Sequence, residues 1–133
     1  YRIDVHQKMK KPFYPDTFKK SIRAAIEKYL HKLWLNAYKI DTEYMREDDG
    51  NTFAKMTTET AYIQGTLAIF PCFLEAWKEK KDRRAYVEEI ISHEMAHCFI
   101  ADLASVSSRR WITEAEHRAA MENLTERIAR LVR

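Results

Sequence analysis

The order of apolar and polar positions divides the first half of the chain into helical and extended segments. Residues 1–14 show no period and are predicted to form an irregular arm, after which Pro15 opens an amphipathic helix. Alternating apolar and polar residues then predict a strand over residues 38–45, a turn over residues 46–51 and a second strand over residues 53–58. The apolar positions of the helix have the spacing of one helical face: Phe18, Ile22, Ala25, Ile26, Tyr29, Leu30, Leu33 and Trp34.

The second half of the chain begins with a third strand and continues as helices. Residues 61–70 are rich in β-branched and aromatic residues and are followed by Pro71, which predicts a strand that stops there. The remaining predicted elements are a helix over residues 73–81, a long helix from Asp82 to about Ala104, a polar break over residues 105–110, and a last helix opening at the capping-box pattern Thr113 to Glu116. The order predicts a small α+β domain with a short twisted sheet of two to three strands.

Length and composition are those of one soluble globular domain. The chain has 133 residues, 46% of them apolar and 32% charged, and no apolar run reaches the roughly 18 residues that a membrane span needs. It begins without an initiator Met and without a signal-peptide pattern, so we expect a truncated or processed chain. Cys72 and Cys98 suggest no disulfide framework, which indicates a cytoplasmic protein. The lack of a long apolar run predicts no membrane partner, and because Lys8, Lys10 and Lys11 are typical of a solvated terminus, we expect no nucleic-acid partner.

The segment from His93 to His97 has the sequence His-Glu-Met-Ala-His, an HExxH motif within the long predicted helix. Since a helical turn takes about 3.6 residues, His93 and His97 lie on one face and can hold Zn²⁺ at about 2.0–2.1 Å. Glu94 lies about 100° round the helix, where it can take a proton from a water that the metal activates. The motif therefore predicts a zinc-dependent hydrolase with Glu94 as the general base. The alternative is a pair of structural histidines in a metal-free helical domain.

A catalytic zinc needs a third protein ligand and one open position. We expect the third ligand on the last helix, and periodicity alone leaves the choice open. His117 falls on the face of Leu124 and Ile128, whereas Glu122 lies beside a stripe of small residues that would let two helices approach closely. The candidates are Glu114, Glu116, His117, Glu122 and Glu126.

From residue 61 to the C-terminus the chain resembles the minimal gluzincin metallopeptidases, especially the small HExxH metallopeptidases of phages and other mobile elements. The similarity lies in the strand over residues 61–70, the motif helix over residues 90–97, and the segment 122–129, which is similar to the "glutamate helix" of that family. The resemblance implies a zincin-like domain with His93, His97 and Glu122 as zinc ligands and Glu94 as the general base. It also implies that residues 61–70 form the edge strand that lines the cleft and pairs with an extended peptide.

A second zincin class, the SprT-like proteases, takes a third His from a downstream helix, which would give His117 that role. The Gly that normally accompanies this His is missing here. No Tyr or His is assigned as the oxyanion stabiliser. Asp102, five residues after His97, could be a partner of a ligand imidazole, although a helix-end charge is the simpler interpretation.

Two functions follow from these observations. The first is a zinc metallopeptidase that hydrolyses peptide bonds of a peptide or protein substrate. The second is a zincin-fold interaction module, encoded by a phage or mobile element, that binds a partner without proteolysis. The sequence does not indicate an oligomeric state.

Overall fold

The computed structural model describes residues 13–106 and 114–133. The predicted arm lies outside these residues except for its last two, and most of the predicted break over residues 105–110 lies outside them too. Along the described residues run α1 (Asp16–Lys32), β1 (Lys39–Tyr44), β2 (Ala54–Glu59), β3 (Gln64–Ile69), α2 (Pro71–Lys78), α3 (Arg83–Val106) and α4 (Glu114–Val132). The predicted α+β class and small sheet are confirmed. None of the described helices has the length and apolar character that crossing a membrane requires.

The three strands form a mixed sheet in the order β1-β3-β2. β1 runs parallel to β3, with Lys39 opposite Gln64, and β2 runs antiparallel to β3, with Ala54 opposite Ile69. β3 is therefore the central strand. The prediction that residues 61–70 form an edge strand is therefore wrong. The apolar composition of this segment is that of a central strand, which has neighbours on both sides.

The central strand is also shorter than the sequence predicts. Thr60–Tyr62 forms a turn of 3₁₀ helix, and Ile63 has a left-handed backbone with φ 52°. The Ile63 amide bonds the carbonyl of Thr60 at 3.2 Å, which closes the turn. The alternation of apolar and polar residues does not reveal this turn, because the turn is made of residue types that are also common in strands.

One face of the sheet packs against helices. Leu67 and Ile69 of β3 are fully buried, as are Phe18 and Ile22 of α1. α3 contributes Val87, Ile91, Met95 and Cys98 to the same core, at spacings of three and four residues. Side chains on the opposite face of the sheet, such as Asp41, Glu43 and Lys55, are exposed. α3 is thus the central helix, as the sequence predicts.

The end of α1 departs from the predicted apolar stripe. The helix stops at Lys32, and Trp34 follows with a left-handed backbone, φ 56°. The Trp34 ring is 80% exposed, while Leu33 and Leu35 on either side of it are buried. Trp34 therefore lies outside the core, although it continues the helical period of Phe18 and Ile22.

α4 packs against α3 through small side chains. Thr125 and Ala129 are completely buried, whereas Leu124 is 37% and Leu131 83% exposed. The small stripe beside Glu122 is therefore the one that faces α3, the close helix contact that the sequence suggests. Small residues at a helix contact let the two backbones approach closely.

Candidate metal centre

The two histidines of the HExxH motif lie on the side of α3 that faces α4. Their rings are perpendicular to each other, with centroids 4.8 Å apart, and each side chain is about 30% exposed. Val87, Ile91 and Met95 anchor the other side of the helix in the core. The packing therefore fixes the histidine pair at the border between core and solvent, where a ligand can reach it.

Glu122 of α4 meets both histidines. Its Oε1 atom lies 3.2 Å from Nε2 of His97 and 3.6 Å from Nε2 of His93. Three groups that can bind a metal thus converge from two helices. Glu122 itself is 59% exposed, so this convergence is open to solvent on one side.

The other ring nitrogens of the two histidines have partners on α4. Nδ1 of His93 lies 2.8 Å from Oε2 of Glu126, and an ionised carboxylate only accepts, so His93 carries a hydrogen on Nδ1. Nδ1 of His97 lies 3.5 Å from Oγ1 of Thr125, whose own hydrogen is donated to the Met121 carbonyl at 2.7 Å. Both Nε2 atoms are thereby turned towards Glu122, to which Nε2 of His97 is hydrogen-bonded.

Nε2 of His93, Nε2 of His97 and Oε1 of Glu122 therefore converge on one place between the two helices. Each of these atoms can offer a lone pair to a cation when the imidazoles are neutral. Tetrahedral ligands at about 2.0–2.1 Å from zinc are about 3.3 Å from one another. The observed separations of 3.2 and 3.6 Å match that spacing, so these donor atoms fit a zinc ion.

Glu94 has a separate position and a separate partner. It offers an oxygen within 4.8 Å of the histidine nitrogens, but its Oε1 accepts the backbone N–H of Met56 in β2 at 3.0 Å. Burial raises the pKa of Glu94 to about 7, against the opposing effects of His93 and of the Met56 hydrogen bond. A cation held by the histidines would lower this pKa again.

The charges around the two histidines differ. Burial lowers the pKa of His97, and the neighbouring His93 acts in the same direction. Together these two effects outweigh the Glu122 carboxylate, which acts to raise the pKa. Burial alone would raise the pKa of Glu126, but the hydrogen bond from His93 and the Arg130 guanidinium bring it below its usual value. Arg130 and Arg133 both contact Oε1 of Glu126, at 3.4 and 3.5 Å. Glu126 is therefore held as a carboxylate that orients His93.

A cleft runs between α3 and the outer edge of β2. Because the Phe70 amide bonds the Phe53 carbonyl, the backbone groups of Ala54, Met56 and Thr58 point away from β3 and into this cleft. A groove of about 510 Å³ lies on the His97 side of Glu94, and one of about 240 Å³ on the His93 side. Both grooves are lined by Thr52, Ala54 and Glu94.

Of the other candidate residues, some have side chains that the structure does not describe, and one has a different partner. The side chains of Glu114, Glu116 and His117 lie outside the part of α4 whose side chains are described. His117 as third ligand therefore stays a prediction. Asp102 accepts a hydrogen bond from the Tyr38 hydroxyl at 2.7 Å, which ties the end of α3 to the start of β1.

Three contacts at this site were missed by sequence reasoning. They are those of Glu126 with His93, of Thr125 with His97, and of the Met56 amide with Glu94. The contact of Glu126 with His93 had a signal in the sequence, since Glu126 lies four residues after Glu122 and hence on the same helical face. The contact of Met56 with Glu94 had no such signal, because it is made by a backbone amide.

Comparison of the chain with models of known protein families, with characterised proteins and with solved structures gives no match. The resemblance to the gluzincins rests on the residues quoted above.

Proposed function

We propose that the protein is a zinc-dependent metallopeptidase with a zincin-like fold, related to the small gluzincins of phages and mobile elements. The observation that carries the proposal is the convergence of Nε2 of His93, Nε2 of His97 and Oε1 of Glu122 at the separations of zinc ligands. Such a donor set, with two histidines and one carboxylate, is typical of a catalytic zinc that keeps an open position.

The roles of the residues follow from their positions. His93, His97 and Glu122 would hold the metal, and Glu126 and Thr125 would orient the two imidazoles. A zinc ion at this place supplies a Lewis acid that polarises the carbonyl of a peptide bond and lowers the pKa of a water molecule. Glu94, on the cleft side of the histidines, would take the proton of the attacking water and return it to the leaving amine.

The outer edge of β2 supports a polypeptide as the substrate. The backbone groups of Ala54 and Thr58, which point away from β3, line the groove beside His97, where an extended chain could add as a further strand. In this proposal the substrate would lie along β2 rather than along residues 61–70. The backbone contacts of such a strand are independent of side chains, so they favour unstructured polypeptides in general.

Metal analysis tests the proposal most directly. We expect the purified protein to contain one zinc ion per chain and to lose it to a strong chelator. With free zinc about 1,000-fold above its dissociation constant, binding stabilises the fold by about 4 kcal/mol, so Tm should fall on the order of 10 °C on chelation. The measurements are atomic emission and thermal melting of the same sample. A metal content near zero, with equal Tm in chelator and in zinc, would instead support a metal-free helical domain.

The contact between Glu126 and His93 gives a second prediction. Glu126→Ala should weaken zinc binding about 10- to 100-fold, because the His93 imidazole loses the partner that fixes its tautomer. Glu126→Gln keeps an acceptor oxygen for Nδ1 and should lie closer to wild type. Competition with a chromogenic chelator measures both, with Arg127→Ala as a control on an exposed neighbour. Equal zinc affinity of Glu126→Ala and wild type would show that Glu126 does not position His93.

A further inference from the structure

The cleft has an outer rim, formed by the connection between β1 and β2. Within it, Asp49 to Thr52 make a turn closed by the Thr52 amide on the Asp49 carbonyl at 3.1 Å, with Gly50 in the left-handed region at φ 58°. We call these four residues the rim turn. Thr52 lines both grooves beside Glu94, while Asp49 lines the larger groove and Asn51 the smaller.

The rim turn is fastened at two points to one residue of α2. The backbone N–H of Cys72 donates to Oδ1 of Asp48 at 2.7 Å, and the Cys72 thiol donates to the carbonyl of Thr52 at 3.1 Å. The Asp48 carboxylate also lies at the N-terminus of α2, where the helix dipole favours a negative charge. The residue before the rim turn and the last residue of the turn therefore share one anchor.

The thiol suits this role chemically. Burial raises the pKa of Cys72, and the nearby carboxylate of Asp48 acts in the same direction. The sulfur thus keeps its hydrogen at neutral pH and remains a donor to Thr52. α2 itself is anchored in the core by Phe73, Leu74 and Trp77, so the anchor does not move with the rim.

We propose that Asp48 and Cys72 are positioning residues that hold the rim turn above the cleft and thereby set the affinity of the site for an extended polypeptide. The inference rests on the proposed function for its ligand, but the two residues touch neither the metal ligands nor Glu94. They should act on substrate binding and leave both zinc affinity and the chemical step unchanged.

The test uses the full chain loaded with zinc and carrying Glu94→Gln, so that binding is measured without cleavage. In this background we compare Asp48→Ala and Cys72→Ala with Cys72→Ser, whose hydroxyl can still donate to Thr52. Glu47→Ala removes an exposed carboxylate of the same connection and serves as a matched control. The readouts are amide hydrogen exchange of the segment 48–54, zinc affinity, and the dissociation constant for β-casein, an unstructured polypeptide.

Loss of a helix cap, as in Asp48→Ala, or of one hydrogen bond, as in Cys72→Ala, changes an equilibrium constant by about fivefold. We therefore expect exchange of the rim turn and the dissociation constant for β-casein to rise about fivefold in Asp48→Ala and Cys72→Ala. Cys72→Ser and Glu47→Ala should resemble the parent, and zinc affinity should be equal in all variants. Unchanged exchange in both alanine variants would refute the anchor, and faster exchange with unchanged β-casein affinity would refute the positioning role.

Absence of β-casein binding to the zinc-loaded parent would also overturn this inference. The proposed function has its own test in the same series, because it requires that the protein with Glu94 restored cleaves β-casein. If the variants alter β-casein affinity but the protein with Glu94 restored does not cleave β-casein, the positioning role of Asp48 and Cys72 is upheld and the peptidase function is refuted.

Discussion

Glu94→Gln should abolish peptide-bond cleavage while the protein keeps its zinc. Glutamine has nearly the same shape as glutamate, and its carbonyl oxygen can still accept the Met56 amide that bonds Glu94 at 3.0 Å. What it loses is the ability to take a proton, and general base catalysis contributes about 10²- to 10⁴-fold to a rate. We therefore expect kcat/KM for an unstructured polypeptide to fall by at least about 100-fold.

Zinc content and cleavage must be measured on the same sample. Glu89→Gln, an exposed position on the same helix, is the matched control and should cleave like wild type. Loss of zinc from Glu94→Gln would make Glu94 a ligand rather than a base. If wild type and Glu94→Gln behave identically with every substrate while zinc stays bound, the protein is better explained as a zincin-fold interaction module.

Glu122→Ala should lose zinc, whereas His117→Ala should keep it. Oε1 of Glu122 is the atom that meets Nε2 of both His93 and His97, at 3.6 and 3.2 Å. Removing a metal ligand should weaken zinc binding more than removing a residue that only orients a ligand. We therefore expect zinc affinity to fall by more than about 100-fold. Chelator competition measures the loss, and far-ultraviolet circular dichroism checks that the helices persist.

The two variants also decide between two classes of zinc site. A normal zinc affinity of Glu122→Ala together with zinc loss in His117→Ala would move the site to three histidines, as in the SprT-like proteases. Asn123→Ala, an exposed neighbour, controls for a general effect of shortening a side chain on α4.

Much of the arrangement on α3 was predictable because it depends on local geometry alone. The spacing of His93 and His97 dictates a shared face, and the apolar period of Val87, Ile91 and Met95 dictates the opposite, buried one. The helices and strands followed from period changes and from Pro15 and Pro71, apart from the start of β3 and the end of α1. These patterns act over a few residues, so the sequence contains most of them.

Contacts between elements could not be predicted in the same way. The order β1-β3-β2 depends on which strands meet, and alternation along a strand does not encode its neighbours. Periodicity left two faces of α4 open, that of Leu124 and the small stripe beside Glu122, and it is close packing against α3 that buries Thr125 and Ala129. Trp34 was misplaced because a helical period continues in the sequence beyond the last helical residue.

The thin apolar face of α4 has a consequence for how the molecule opens. Among its described side chains only Thr125 and Ala129 are fully buried, neither carries much hydrocarbon, and Ile128 and Val132 are partly buried against the core. Elements with few buried apolar contacts separate from a fold at a lower free energy than its global unfolding. In the proposed site this helix also supplies Glu122 and Glu126, so detachment of the helix would remove a ligand and the partner of His93 together. Zinc exchange would then have a component that follows local unfolding of α4.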